Sequence, residues 1–300
     1  MWFKNLLIYR FKETVAIDPD SLEHSLQEFK FSPCGSQDVS KIGFTKAMGK
    51  IGHSLVHSAN NNHLICVTKE DKILPAAVIK EELETKVAEI EERDARPLRK
   101  QEKDALKDDI TQMLLPRAFT KRSQTRALIM PEAGLIMVDA SSSNKAEEVL
   151  ALLRKALGSL PILPLNYVEP VDVQLTSWLE QGYAPSPFTI GEEAELKSLS
   201  EDGAMVKFKN QVLDDDEVTA HIKAGKVVQK LAMTFGESSD FIFAHDCSIK
   251  RLKFTDLIRG ENDLLGNDDP MARLDADFAL MVGELASLAN ALNQALGEVD

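Results

Sequence analysis

The sequence predicts an α+β fold of mixed strands and helices with a protruding helical hairpin. Three observations carry this. Residues 226–235, 240–245 and 248–254 read as a three-stranded meander, with Asp246-Cys247-Ser248 as its tight turn. Apolar residues recur at helical spacing on both sides of Pro97: Ile79, Leu83, Val87 and Ile90 before it, Leu106, Ile110, Met113 and Leu114 after it. Residues 275–296 form a helix whose Phe278, Met281, Val282, Leu285, Leu288, Ala289 and Leu292 cover more than one stripe, which suits a core or a subunit interface.

From the N-terminus, 2–11 is apolar and β-rich, a strand. Residues 21–29 read as a short helix with Ser21 as N-cap, and 33–52 as loop punctuated by Gly35, Gly43 and Gly49. A second strand spans 63–68, and Lys69-Glu70-Asp71-Lys72 turns the chain. Pro75 fits the first position of a helix, where its missing N–H costs nothing, and that helix runs to about Ala95. That helix and the following one, with one narrow apolar stripe each, predict an antiparallel hairpin carrying a loop of Arg117, Phe119, Lys121 and Arg122 near its return end. Residues 127–130 and 134–140 read as a β-hairpin. Residues 144–157 form a helix with Leu150, Leu153 and Leu157 inward, capped by Gly158. An extended segment opens at Pro161 and Pro164, and a short helix ends at Gly182. Ala184-Pro185-Ser186-Pro187 is the linker candidate. Beyond it Val206 and Phe208 alternate with Lys207 and Lys209, and Gly225 caps a helix over 218–224.

The 44% apolar content is enough for a sizeable core, and the net charge of −13 argues against coating nucleic acid with the whole surface. It leaves room for contacts confined to one groove. Cys34, Cys66 and Cys247 are far apart and odd in number, which reads as reduced thiols in cytosol. No signal peptide is expected, and no segment approaches the roughly 20 apolar residues of a membrane span. The chain reads as cytoplasmic.

Catalytic signatures are missing. Met48-Gly49-Lys50 lacks the upstream glycine and the following Ser/Thr of a phosphate loop, and no G-x-G-x-x-G or G-x-S-x-G occurs. Ser141-Ser142-Ser143 could cradle a phosphate at a helix N-terminus, but capping by the serines and Asn144 is the simpler account. His53, His57 and His63 lie in or beside a loop with no Cys or carboxylate at ligand spacing, so no metal and no cofactor is expected. Asp214-Asp215-Asp216-Glu217 supplies a helix N-cap more readily than a cation site. Cys66 reads as a small buried hydrophobe.

Basic residues are more coherent. Between 93 and 126, ten cations stand against five carboxylates, a +5 island in an acidic chain. Candidate DNA contacts are Lys100, Lys103, Lys107, Arg117, Lys121 and Arg122 there, with Lys207, Lys209, Gln211, Lys250, Arg251 and Lys253 further on. No base-reading motif accompanies them. A solvated helical hairpin, or a scaffold whose basic hairpin binds an acidic partner, explains the same charges. Phe119, between Arg117 and Lys121, either packs on the hairpin or buries itself in a partner subunit.

Several segments carry a family resemblance: WFKNLLIYR at the start, PCGSQD at 33–38, KILP at 72–75, LLPRAF at 114–119, GLIMVD, KAEEVLALLRKALGSLP, KRLKF and LDADFALM. In order and from end to end, they resemble the RdgC family of bacterial recombination-associated proteins. The resemblance implies a nucleoid-associated, non-enzymatic homodimer. Such a protein binds double- and single-stranded DNA with little sequence preference and limits the RecA recombinase by competing for DNA. It further implies a ring with a basic hole, and subunits of three parts: a central domain (1–74 and 126–183), a helical tip (75–125) and a base (184–300). Phe119 would lie at a tip-to-tip contact. Where relatives carry a more basic run ending in Gln, this chain reads Lys207-Phe208-Lys209-Asn210-Gln211, one charge fewer.

Overall fold

A computed structural model describes residues 2–200, 203–260 and 269–297. The first half of the chain runs β1 (Leu7–Phe11), α1 (Pro19–Gln27), β2 (Ser40–Thr45), β3 (Val56–Ala59), β4 (Asn62–Ile73), α2 (Ala76–Asp94), α3 (Lys100–Leu114), a 3-10 turn (Leu115–Arg117), β5 (Phe119–Met130), β6 (Leu135–Val138) and α4 (Ser143–Leu157). The second half runs β7 (Ile162–Pro164), α5 (Val171–Gln181), β8 (Phe188–Ser198), β9 (Met205–Lys209), α6 (Asp216–Lys223), β10 (Lys226–Phe235), β11 (Ser239–Ala244), β12 (Ile249–Phe254), α7 (Asp256–Gly260) and α8 (Pro270–Leu296). The class is α+β, as expected.

Two compact units emerge. The larger comprises Met1–Leu26, Lys46–Cys66 and Thr125–Asp300; the smaller comprises Gln27–Thr45 and Val67–Gln124. In the larger unit, β1 pairs antiparallel with β6 on one side and β7 on the other. The expected β5–β6 hairpin is present, closing at Met130↔Leu135. A second sheet of five strands runs in the order β12-β11-β10-β8-β9. Its β10–β12 part is the meander read from sequence; β8, which bulges twice against β10, is the strand that reading missed. The N-terminal segment ties onto this sheet through the bridge Leu6↔Ile249 and the bond from the Leu252 N–H to the Lys4 carbonyl.

The five-stranded sheet packs against α5 and α6 through β10, and α8 joins the same core cluster. Every core-facing α8 residue expected from periodicity, Phe278 through Leu292, is buried within this one chain. The breadth of that helix therefore serves the chain's own core rather than a subunit contact. In the expected linker 184–187, Ala184 is buried, while Ser186 and Pro187 are exposed. Helix α1 is capped by Asp18, which accepts from the Ser21 N–H and hydroxyl, so Ser21 is not the cap. Ser142 holds the N-cap position of α4 without a side-chain bond, whereas Asp215 caps α6 as expected.

In the smaller unit, β2, the second half of β4 and the first half of β5 lie side by side. Two readings are corrected. Lys69–Lys72 is strand rather than turn, and the expected loop at 117–122 is a 3-10 turn followed by β5. Gly43 lies inside β2, in what was read as loop, because the strand passes close to Phe31. A Cβ there would sit 2.4 Å from the Phe31 Cα. Helices α2 and α3 form the expected hairpin. Ala95 ends α2 in a left-handed turn, Glu91 accepts from the Leu98 N–H, and Glu102 grips Arg96 at 2.7 and 3.0 Å. The seam is thin: α2 has no fully buried residue, and Ile110 is the one buried on α3, while Met113 of the expected stripe is exposed.

Phe243, in the middle of the five-stranded sheet, is fully buried. Phe243→Ala is expected to cost about 3–5 kcal/mol in urea unfolding. A loss under about 1 kcal/mol would place that residue outside the core.

Candidate nucleic-acid interface

Side chains alternate across a strand, so burying one face of β8–β12 commits the intervening residues to the other. Ala194, Leu196, Phe208, Val228, Leu231 and Phe243 are inside. Glu193 and Glu195 of β8 stand outside, opposite Lys209 and Lys207 of β9. Lys230 of β10 lies opposite Glu195. On β12, Lys250 lies opposite Ile242, after which the register slips and Arg251 takes a left-handed backbone (φ +52°). A bulge of this kind re-aims a side chain, and the Arg251 guanidinium reaches Glu193 at 2.5 Å.

Lys207, Lys209, Lys230, Lys250 and Arg251 therefore surround one shallow depression of about 290 Å³. Each carboxylate within it bridges two cations. Glu195 lies 3.1 Å from Lys207 and 3.0 Å from Lys230; Glu193 lies 3.9 Å from Lys209 as well as against Arg251. Burial pulls the Glu195 carboxyl up, but the Lys230 and Lys207 ammoniums together pull it further down, so its pKa stays below the usual range. Five cations against two carboxylates leave this face at +3 in a chain of −13.

Of the residues singled out from sequence, Lys207, Lys209, Lys250 and Arg251 are brought together here. Lys253 continues the same face, opposite Asp240. Gln211 lies just past β9 and its side-chain amide donates to Glu217 at 3.2 Å. Sequence reading missed Lys230, Glu193 and Glu195. Alternation within Val228-Gln229-Lys230-Leu231 was the available signal for the first.

The remaining candidates belong to the smaller unit. Lys100 and Lys107 are exposed on α3, Lys103 pairs with Glu91 at 3.2 Å, and Arg117 is exposed in the 3-10 turn. Taken alone, the segment beyond Arg93 is basic. Packed against α2 it is not, because the hairpin over 76–114 carries eight cations and eleven carboxylates. Lys121 is free on β5, whereas Arg122 has a structural partner. Its guanidinium donates to Glu70 at 2.7 Å and lies 5.5 Å over the Phe31 ring. Glu70, with its side chain 3% exposed, also accepts from the Cys34 N–H at 2.5 Å. The Cys34 N–H bond, then Arg122, hold the Glu70 pKa down at about 2. Phe119, at the start of β5, is 85% exposed.

His57 lies 3.3 Å from Asp275 and edge-on to Phe278, and His63 bonds Ser58, so the two histidines have separate partners. Among the described residues no three His, Cys, Asp or Glu side chains gather as a metal site would require. Cys66 is buried, and no helix among the described residues is long and apolar enough to cross a membrane.

Fold and site define an α+β protein that backs one sheet with helices and turns a cationic face to solvent, a surface suited to polyanions. The chain belongs to the RdgC family: the family model described as "Putative exonuclease, RdgC" matches residues 1–299. Proteins named "Recombination-associated protein RdgC" from Shewanella oneidensis, Shewanella frigidimarina and Shewanella loihica are 61%, 60% and 57% identical to it. Each alignment covers 100% of this chain and 99% of the relative.

The Glu70 site makes an acid-stability prediction. A carboxyl held near 2, against an ordinary 4.5, contributes stability above about pH 4.5 that is lost as pH falls through about 2. Glu70→Gln is expected to flatten the fall in Tm on acidification from about pH 5 to pH 2.5. An acid limb unchanged by the substitution would remove Glu70 from the stability of this unit.

Proposed function

We propose that this protein binds double- and single-stranded DNA without sequence preference, chiefly through the outer face of β8–β12. The carrying observation is the cluster of Lys207, Lys209, Lys230, Lys250 and Arg251 on one solvent-facing sheet surface. Contacts from lysine and arginine side chains to phosphates carry no sequence information. An acidic remainder repels DNA and orients it toward this face. Two subunits close into a ring around the duplex, with Phe119 at one contact, and the bound ring limits access of the RecA recombinase. The protein works in the cytoplasm on the nucleoid. Membership of a family whose relatives are named for recombination supports this reading.

The protein acts by occupancy rather than by cleaving DNA. In support, the two carboxylates on the cationic face are each held by lysine or arginine rather than turned toward one another to share a metal ion. Degradation of labelled linear DNA by the purified protein with magnesium or manganese would overturn that part. A scaffold binding an acidic protein partner through the hairpin is the lesser reading, since the hairpin itself is net acidic.

Lys207→Glu with Lys209→Glu is the test of the face. The pair is exposed and lies outside the core. Binding to duplex DNA at moderate salt is expected to weaken at least tenfold, with wild-type log K falling against log salt at about −0.9 per phosphate neutralised. Undiminished binding, or a flat salt response, moves the contact elsewhere.

Phe119→Ala is the test of the ring. Burying one phenylalanine is worth about 1.5–3 kcal/mol, and a two-fold contact uses it twice. The variant is expected to keep its circular dichroism spectrum and its affinity for short linear duplex, yet to be lost from closed circular DNA in a salt wash that wild type survives. Equal retention would remove Phe119 from ring closure.

A further inference from the structure

Resting on the DNA-binding reading above, we infer that Glu193 and Glu195 are affinity-limiting residues: they occupy the cations of the sheet face as internal competitors for phosphate and keep the grip on DNA weak. The geometry is specific. Both stand on β8, between the Lys207/Lys209 row of β9 and the Lys230 and Arg251 positions of β10 and β12. Every one of those four cations is already within ion-pair distance of a carboxylate oxygen. Glu195 and Glu193 are the more buried partners, 15% and 28% exposed respectively, whereas Lys207, Lys209 and Arg251 are 57%, 63% and 59% exposed. A surface selected only to hold DNA tightly has no use for negative charge at its centre.

Two consequences follow. A phosphate docking on Lys207 meets Glu195 at a distance of about 6 Å, and a unit charge there, at an effective dielectric of about 40–80, corresponds to about three- to tenfold in binding constant. Each carboxylate also takes up a counterion when its cation turns to DNA, which cancels part of the ion release that drives binding. Removing one should steepen the slope of log K against log salt by up to about 0.9.

The experiment is fluorescence anisotropy of a scrambled-sequence duplex with full-length wild type, Glu193→Gln, Glu195→Gln and the double variant, across a salt series. Lys207→Glu/Lys209→Glu runs beside them. Glutamine keeps the shape and hydrogen-bonding reach of glutamate, and thermal melts confirm folding. Glu193, more exposed, serves as an independent position if Glu195→Gln is unstable. Tighter binding and a steeper slope in the Gln variants support the inference. Unchanged or weaker binding overturns it, showing that the carboxylates instead position the lysines. If the lysine reversal also leaves binding unchanged, the DNA-binding face itself is misplaced and both readings fall.

Discussion

The DNA-binding face proposed for this protein depends on the two-residue alternation of β8 to β12, reset where the register shifts. Helices α5 and α6 pack on that sheet and α8 shares its core cluster, so the apolar set Leu196, Val228, Leu231 and Phe243 is fixed inward. A one-residue slip would exchange the faces and bury the lysines, so the core holds the register with all of its hydrophobic free energy. The cationic surface is the reverse side of the core. It needs no loop to shape it, and of the sheet's register shifts the one at Arg251 adds a cation to the same depression.

Where period and chemistry agreed, the sequence was legible. The β10–β12 meander, the β5–β6 hairpin, α4 and α8 follow from alternation or helical spacing with clear terminators. Strand β8 did not, for a physical reason. Its Glu192-Glu193-Ala194-Glu195 run looks like a solvated helix face, and its bulges break the alternation that marks a strand. Only with Lys207, Lys209 and Lys230 alongside do those glutamates make sense in a sheet. Strand β2 was hidden by Gly43, which reads as a turn until Phe31 is seen packed where its side chain would be. Lys69–Lys72 was hidden by composition: a buried Glu70 requires Arg122, fifty-two residues away in sequence.

The same limit applies to charge. A linear window from Arg93 onward gave a basic island because it began after the acidic residues of α2. Folding the hairpin brings Glu91 against Lys103, and the window's excess disappears. Conversely, the three strands that contribute Lys207, Lys230 and Lys250 are separated by loops and a helix, so no window collects them. Electrostatic footprints belong to surfaces, and a sequence shows them only when the surface is local in the chain. Phe119, three residues after Pro116, is 85% exposed once folded, so it does not pack on the hairpin.

The central claim is that DNA lies on the β8–β12 face rather than on the hairpin, and lysine footprinting addresses it directly. The full-length protein would be acetylated with and without saturating duplex DNA, and each lysine quantified by mass spectrometry. The account predicts that Lys207, Lys209, Lys230 and Lys250 lose reactivity on binding, while Lys80 and Lys86 of α2 keep theirs. Protection confined to α2 and α3, with the sheet lysines as reactive as in free protein, would contradict it.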